Sequence, residues 1–207
     1  MTHCLLVSRW HDKYLGVVTL DSSQYCRNEC HRLVSGILCC TPESPASVGV
    51  QFLLFESASG GSQVTLDWDG VHARERITRA QHYERLVVIT HGYMERVTAR
   101  DGSLDPSSWM SGVKDAYLRR GADAVLIVNW ESGNGIAYVQ SLANVRTIGM
   151  MTGRLLTEWG VASRTLMIGF SLGAHIVGEA GQMVQQISGG ASKIAECHGL
   201  DPAGQFV

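Results

Sequence analysis

Short apolar segments alternate along the chain with longer segments whose apolar residues recur at helical spacing. The short segments are near-continuously apolar, which is typical of strands buried on both faces of a parallel sheet. Each is therefore predicted to be a strand. The five predicted strands are Val50–Phe55, Leu86–Thr90, Val125–Val128, Thr165–Ile168 and, with a weaker pattern, Ile194–Leu200.

Three helices are predicted between these strands. The first, Pro106–Arg120, has Asp105 in the N-cap position, proline at its first position and Gly121 after its end. The second covers Ile136–Trp159 and the third covers Leu172–Gln186. Strands that alternate with helices predict an α/β fold, a doubly wound and mostly parallel sheet with crossover helices.

The first 47 residues differ from the rest of the chain. They show no sustained periodicity and end in a cluster of helix and strand breakers, Thr41–Pro45. A length of 207 residues is typical of one domain. We therefore predict a poorly defined, cysteine-containing segment over residues 1–47 and a single α/β domain over residues 48–207.

Six cysteines are unevenly distributed along the chain. Cys26, Cys30, Cys39 and Cys40 lie close together, and the other two are Cys4 and Cys197. A disulfide framework in a secreted protein is favoured. A zinc site with His31 as a further ligand and a set of reduced thiols are the alternatives.

Charge and hydropathy argue against nucleic-acid binding and against a transmembrane segment. The chain has 17 Lys and Arg against 19 Asp and Glu, a formal net charge of −2, whereas nucleic-acid binding needs a basic surface. No apolar run approaches the ~20 residues of a transmembrane helix. The apolar run Cys4–Val7 is too short for a secretory signal, and charged residues follow it closely. The oligomeric state is not indicated.

The sequence Gly169-Phe170-Ser171-Leu172-Gly173 lies between the fourth predicted strand and the third predicted helix. This is the context of the G-x-S-x-G nucleophile elbow, in which a strained turn exposes the serine hydroxyl at the sheet edge. The two glycines allow the strand and helix to approach closely. Ser171 is therefore predicted to be a catalytic nucleophile, although a glycine-rich turn with an incidental serine would have the same local pattern.

Two further turns complete the predicted catalytic site. The backbone N–H of Leu172, at a helix N-terminus, and that of Tyr93, after the second predicted strand, are candidate oxyanion-hole donors. Asp201 follows the fifth predicted strand and would lie one strand from Ser171 if consecutive parallel strands are neighbours. Plain turns are the alternative at both places, since Gly and Asp-Pro are common in turns.

These segments resemble the N-terminal catalytic domain of the pancreatic lipase family. The blocks are Thr90–Tyr93, Val128–Trp130, Asn144–Arg146, Ile168–Gly181 and Gly199–Gly204, in the family's order. The resemblance implies an α/β-hydrolase fold with Ser171 as nucleophile, Asp201 as triad acid and Tyr93 and Leu172 as oxyanion donors. It also implies acylglycerol or phospholipid substrates and a secreted setting. Phe170 departs from the family, which usually has histidine before the serine.

The third member of a catalytic triad is missing from its expected place. The order in this fold is Ser, Asp and then His, and no histidine follows Asp201. His91 belongs to the oxyanion turn, His175 lies one helical turn after the serine, and His198 lies within the fifth strand. We therefore expect that the sheet is incomplete at the C-terminus, that the full-length protein continues with the histidine, and that the 207-residue chain alone has little activity.

Together these features predict a serine-dependent carboxylic ester hydrolase of the triacylglycerol lipase or phospholipase A1 type, acting through an acyl-enzyme on Ser171. The alternative is a non-catalytic lipid-binding or yolk-type storage protein on the same fold, because fold alone does not fix function. Such proteins tend to lose the nucleophile, so the intact Ser171 favours an enzyme. No cofactor or metal is expected, and the predicted partner is a lipid ester or a lipid interface.

Overall fold

The computed structural model describes residues 42–135 and 137–204, and the backbone of residues 5–7, 31–33 and 36–38. The strands are β1 (Leu5–Val7), β2 (His31–Leu33), β3 (Gly36–Leu38), β4 (Gln51–Glu56), β5 (Gln63–Leu66), β6 (Leu86–Thr90), β7 (Ala124–Asn129), β8 (Thr165–Phe170) and β9 (Glu196–Leu200). The α-helices are α1 (Pro45–Val48), α2 (Trp68–Val71), α3 (Arg74–Ala80), α4 (Trp109–Arg119), α5 (Tyr138–Glu158) and α6 (Leu172–Ile187).

Seven of these strands form one sheet, in the order β1-β9-β8-β6-β7-β4-β5. The pairs β1–β9, β9–β8, β8–β6 and β6–β7 are parallel, whereas β4 runs antiparallel to both β7 and β5. Strands β2 and β3 form a separate antiparallel pair. The predicted α/β fold with a mostly parallel sheet is confirmed.

The parallel strands are buried on both faces, which explains why their sequences are continuously apolar. In β6 and β7, alternate residues enter two separate cores. Val88 and Leu126 pack into the core beneath α5 and α6, with Trp130 and Trp159 among its largest side chains. Val87 and Ile127 pack into the core on the face that carries α4. The central strands are thereby fixed on both sides, and their carboxyl ends form a rigid edge.

The three predicted helices are present, but the first begins later than its sequence pattern suggests. The predicted N-cap Asp105 is wrong, because its carboxylate accepts hydrogen bonds from the amide and hydroxyl of Ser107, at 2.8 and 2.7 Å, and so closes a turn. Helix α4 starts at Trp109, and the Ser108 side chain caps it. Strand β5 was not predicted because its residues are only partly buried and it pairs with β4 alone.

The cysteine predictions concern residues outside the described part of the chain, except at Cys197. That side chain is buried in the core beneath α5 and α6. Cys4, Cys26, Cys30, Cys39 and Cys40 are not described, and neither is the His31 side chain, so the disulfide framework and the zinc alternative stay predictions. Within the described residues, no cluster of three potential metal ligands occurs, and no helix has the length and apolarity to cross a membrane.

Candidate functional site

Ser171 lies at the junction between β8 and α6, where the backbone makes a sharp turn. Its φ and ψ are 53° and −118°, in a region that residues with a side chain rarely adopt. The turn requires the two flanking glycines. A β-carbon on Gly169 would lie 2.1 Å from the carbonyl oxygen of Gly173, and one on Gly173 would lie 2.6 Å from that of His91. The geometry expected of a nucleophile elbow is therefore present.

The turn after β6 packs directly against this serine. From β6 the chain crosses to β7 on one side and then returns to β8 on the other, so that β6 and β8 flank a topological switch point of the sheet. Ligands of open α/β sheets bind at the carboxyl ends of such strands. A β-carbon on Gly92 would lie only 2.8 Å from Cβ of Ser171. Gly92 therefore allows the turn that carries Tyr93 to approach the serine.

Asp201 lies at the same edge, one strand further along the sheet. Phe170 of β8 is paired with Leu200 of β9, and the amide of Ser171 donates a hydrogen bond to the Leu200 carbonyl at 2.9 Å. Asp201 has a left-handed φ of 43°, and its side chain is exposed. The structure thus brings Ser171 and Asp201 to the ends of two neighbouring strands, as the sequence led us to expect.

Leu172, the second predicted oxyanion donor, is the first residue of α6 and is buried. The first N–H groups of a helix have no acceptor within the helix. They also lie at the positive end of the helix dipole, which favours a negative charge placed there. The peptide N–H after Ser171 therefore has the location that an oxyanion donor needs.

Two polar side chains hold the turn at Gly92, and neither was identified from the sequence. The Gly92 amide donates to Oε2 of Glu95 at 2.5 Å. The side-chain amide of Asn134 donates to the Gly92 carbonyl at 2.9 Å and accepts from the Met94 amide at 2.9 Å. Glu95 could have been noticed as the acidic residue three positions after Gly92. Asn134 comes from the segment after β7, and no local pattern connects it to this turn.

Aromatic side chains line both sides of the serine turn. On one side, Trp109 and Phe170 make an edge-to-face contact with ring centroids 6.2 Å apart. The Trp109 indole also donates to Oε1 of Glu95 at 2.9 Å, so that its ring is fixed. On the other side, Tyr93 and Tyr138 pack edge to face at 5.0 Å. Phe170, the departure from the family pattern, is thus part of an ordered apolar wall next to Ser171.

His91 is held in a form that cannot serve as a general base. It is fully buried and stacks on Trp130 at 5.0 Å. Its Nε2 accepts the Trp130 amide at 3.1 Å, so its Nδ1 carries the proton and donates to the Gly92 carbonyl at 3.0 Å. Burial lowers the pKa of His91 to about 4, against a weaker opposing effect of the Gly92 hydrogen bond. The residue supports the oxyanion turn as a neutral imidazole.

The other two histidines considered from the sequence also have structural partners. His175 is buried, which lowers its pKa, and its Nε2 donates to the Ala203 carbonyl at 2.9 Å. It therefore ties α6 to the segment that follows Asp201. His198 lies 2.6 Å from Oε1 of Glu196 on its own strand. Among the residues that the structure describes with side chains, no histidine forms a hydrogen bond with Ser171 or Asp201.

Comparison with known proteins shows similarity to lipases over most of the chain. A sequence model of the Lipase family matches residues 22–207, starting inside the segment that we predicted to be poorly defined. Pancreatic triacylglycerol lipase of Myocastor coypus is 27% identical over 167 residues, covering 78% of this chain and 33% of the relative. Phospholipase A1 VesT1.02 of Vespa tropica is 31% identical over 154 residues, covering 68% of this chain and 47% of the relative.

A third relative is the human "Inactive pancreatic lipase-related protein 1", which is 28% identical over 167 residues, covering 78% of this chain and 32% of the relative. The chain spans about a third of the length of the pancreatic relatives that it matches. The family match covers most of the chain, and the sheet carries a serine elbow at its carboxyl edge. The chain therefore belongs to the Lipase family and has its α/β-hydrolase fold.

Proposed function

We propose that this protein is a serine-dependent carboxylic ester hydrolase that acts on lipid esters. The observation that carries the proposal is the strained backbone of Ser171 at the carboxyl end of β8, with Asp201 after the paired residue of β9. A non-glycine residue with positive φ costs about 1–3 kcal/mol and persists mainly where the surrounding structure requires it, often at active sites. Ser171 is half-buried, and the turn after β6 that carries Tyr93 packs against it.

In the proposed reaction the Ser171 hydroxyl attacks the ester carbonyl carbon and forms a tetrahedral intermediate. The N–H groups of Tyr93 and Leu172 stabilise its oxyanion, and one such donor contributes about 10²–10³-fold to kcat in related chemistry. The carbon–oxygen bond to the alcohol then breaks, the leaving oxygen receives the proton that Ser171 gave up, and an acyl group remains on Ser171. A water molecule releases the acid by the reverse sequence of steps.

A general base must take the serine proton, and we propose that it is a histidine oriented by Asp201. His91, His175 and His198 all have other partners. The chain spans about a third of the pancreatic relatives, which is consistent with a base from a part of the protein beyond these 207 residues. The predicted weak activity of the 207-residue chain follows from this arrangement.

The proposed substrates are triacylglycerols or phospholipids, as the names of the relatives suggest. The apolar wall of Trp109 and Phe170 beside Ser171 favours an apolar acyl chain over a charged substrate. An extracellular setting is proposed from the family resemblance, and an oxidising compartment would also suit the cysteine-rich segment.

A non-catalytic lipid-binding or storage protein is the second candidate. His91, His175 and His198 all have structural partners, so none of them is available as the general base that an enzyme needs. One relative is also named as inactive. Such a protein would bind lipid without Ser171-dependent turnover. The intact serine favours the enzyme, because a nucleophile in a strained turn is a feature of active sites and is not needed for binding lipid.

The test measures hydrolysis of p-nitrophenyl butyrate by the 207-residue chain and by the whole protein, each beside its own Ser171→Ala variant. We expect the short chain to exceed its control only marginally and the whole protein to exceed it by orders of magnitude, since losing the triad serine or histidine alone cost about 10⁶-fold in a protease. Tributyrin emulsions and phosphatidylcholine vesicles then distinguish the two substrate classes. Equal rates for the whole protein and its Ser171→Ala variant would support the binding protein instead.

A further inference from the structure

Met94, two residues after Gly92, has a left-handed backbone although it is neither glycine nor asparagine. Its φ is 55°, and its side chain is 59% exposed, so packing of the side chain does not enforce this conformation. A residue in this region costs about 1–2 kcal/mol, and the surrounding structure must compensate. The compensating contact is made by Asn134.

Asn134 is buried, with 7% of its surface exposed, and its side chain contacts the backbone on both sides of Tyr93. Its Nδ2 donates to the Gly92 carbonyl at 2.9 Å, and its Oδ1 accepts from the Met94 amide at 2.9 Å. A carbonyl cannot donate and an amide N–H cannot accept, so the two ends of the Asn134 side chain are unambiguously assigned. The side chain therefore forms a two-point clamp on this turn.

The Gly92 carbonyl and the Tyr93 N–H belong to the same peptide group. A trans peptide is planar, so its carbonyl and N–H point in opposite directions. When Asn134 and His91 both donate to the Gly92 carbonyl, they fix the plane of this peptide and direct the Tyr93 N–H to the opposite side. The second contact, at Met94, prevents the following peptide from rotating.

We propose that Asn134 is a positioning residue that aims the Tyr93 N–H into the oxyanion hole; this rests on the proposed ester hydrolase function. Asn134 does not touch the substrate. It acts by keeping the peptide rigid before the negative charge develops, which is the condition for effective oxyanion stabilisation. It also connects the segment after β7 to a site otherwise built from the ends of β6, β8 and β9.

The experiment uses phenylboronate, which mimics the tetrahedral intermediate without turnover. At mildly alkaline pH the boronate anion exchanges one hydroxide for the Ser171 oxygen. A boron–oxygen bond to serine forms, another boron–oxygen bond breaks, and the serine proton leaves with the hydroxide as water. The exchange needs no net proton transfer to a base, so the 207-residue chain is a valid test protein. Affinity is measured by calorimetry and the adduct by boron NMR.

The variants are Asn134→Asp, which keeps the shape and the acceptor but loses the donor, and Asn134→Ala, which loses both. We expect each to bind phenylboronate about tenfold or more weakly, a part of the 10²–10³-fold that a whole oxyanion donor contributes. The control Thr165→Val removes another buried hydrogen bond, from the Thr165 hydroxyl to the Val161 carbonyl at 2.8 Å, at the far end of β8. It should bind phenylboronate as the parent does.

The phenylboronate affinities of all chains are measured at temperatures below their thermal transitions. If Asn134→Ala does not fold, Asn134→Asp alone decides the result. Asn134→Asp binding as tightly as the parent overturns the inference alone. An equal loss in Thr165→Val also overturns it, because the effect would then reflect stability. If the parent forms no adduct, or Ser171→Ala binds equally well, the proposed function itself is contradicted.

Discussion

The amide of Ser171 donates a hydrogen bond to the carbonyl of Leu200 at 2.9 Å, and this contact joins the two turns of the candidate site. It continues the β8–β9 pairing one residue beyond the end of β8, onto the last residue of β9. Ser171 and Asp201, the residues that follow the paired Phe170 and Leu200, both have positive φ. Their spacing is thus set by the sheet and not by flexible loops.

The serine turn should tolerate no side chain at Gly169. A β-carbon there would lie 2.1 Å from the Gly173 carbonyl oxygen, which is backbone and cannot rotate away. We expect Gly169→Ala to lower the free energy of unfolding by about 3 kcal/mol or more, at the upper end of overpacking effects. Urea unfolding measures this change.

The matched control is Gly181→Ala in α6, where a β-carbon meets no atom within 4 Å. Alanine is the better helix former, so this variant should be neutral or more stable by about 0.5–1 kcal/mol. Gly169→Ala with parental stability would show that the β8–α6 turn is looser than the structure indicates.

Glu95 should couple energetically to Trp109. Its carboxylate accepts the Gly92 amide and the Trp109 indole N–H, one on each oxygen. Glu95→Gln replaces one acceptor by a donor, which should destabilise the protein by about 1–3 kcal/mol. In a Trp109→Phe background the indole donor is absent, and the same substitution should cost less. A double-mutant cycle from urea unfolding measures the difference, and a coupling energy near zero would contradict the proposed network.

Stability should fall as the pH is lowered through the titration of His91. Its pKa is about 4 in the folded protein, below the 6.5 that is usual for histidine, because burial disfavours the charged imidazole. Between these values the unfolded chain binds more protons, so the free energy of unfolding decreases as the pH falls, by at most about 1.4 kcal/mol per pH unit from this group. Buried His175, whose pKa is also lowered, contributes in the same direction.

Urea unfolding between pH 7 and about pH 5 tests this dependence, because the slope follows from proton uptake on unfolding. The variant His91→Gln removes the titrating group and should show a shallower slope than the parent. The control Thr165→Val changes no titratable group and should keep the parental slope. A parental slope in His91→Gln would mean that His91 is not held neutral by burial.

Asp201 should affect catalysis and leave stability nearly unchanged. Its side chain is exposed, and asparagine adopts a left-handed backbone readily, so Asp201→Asn should change the free energy of unfolding by no more than about 0.5 kcal/mol. In the whole protein the same substitution should lower kcat by about 10⁴-fold, the loss measured for the triad aspartate of a serine protease. Esterase kinetics and thermal unfolding of the same preparations test both parts. A fully active Asp201→Asn would remove Asp201 from the triad.

Sequence pattern alone was sufficient for the strands and helices that form the centre of the fold. Buried parallel strands are apolar on both faces, so β6, β7 and β8 are visible as continuous apolar runs. The serine elbow is also a local device, since its glycines and its serine lie within five residues. The start of α4 was misplaced because Asp105 can cap a helix or close a turn, and here it closes a turn with Ser107.

Sequence by itself determined the fold class, the elbow at Ser171 and the place of Asp201 after the next strand, because each depends on burial or turn chemistry within a short segment. Only the tertiary structure decided that β6 lies between β7 and β8, which brings the Gly92 turn against Ser171. It also decided the roles of His91 and Asn134. Their hydrogen bonds join segments about 40 residues apart, and such contacts depend on the order of strands in the sheet, which local patterns do not encode.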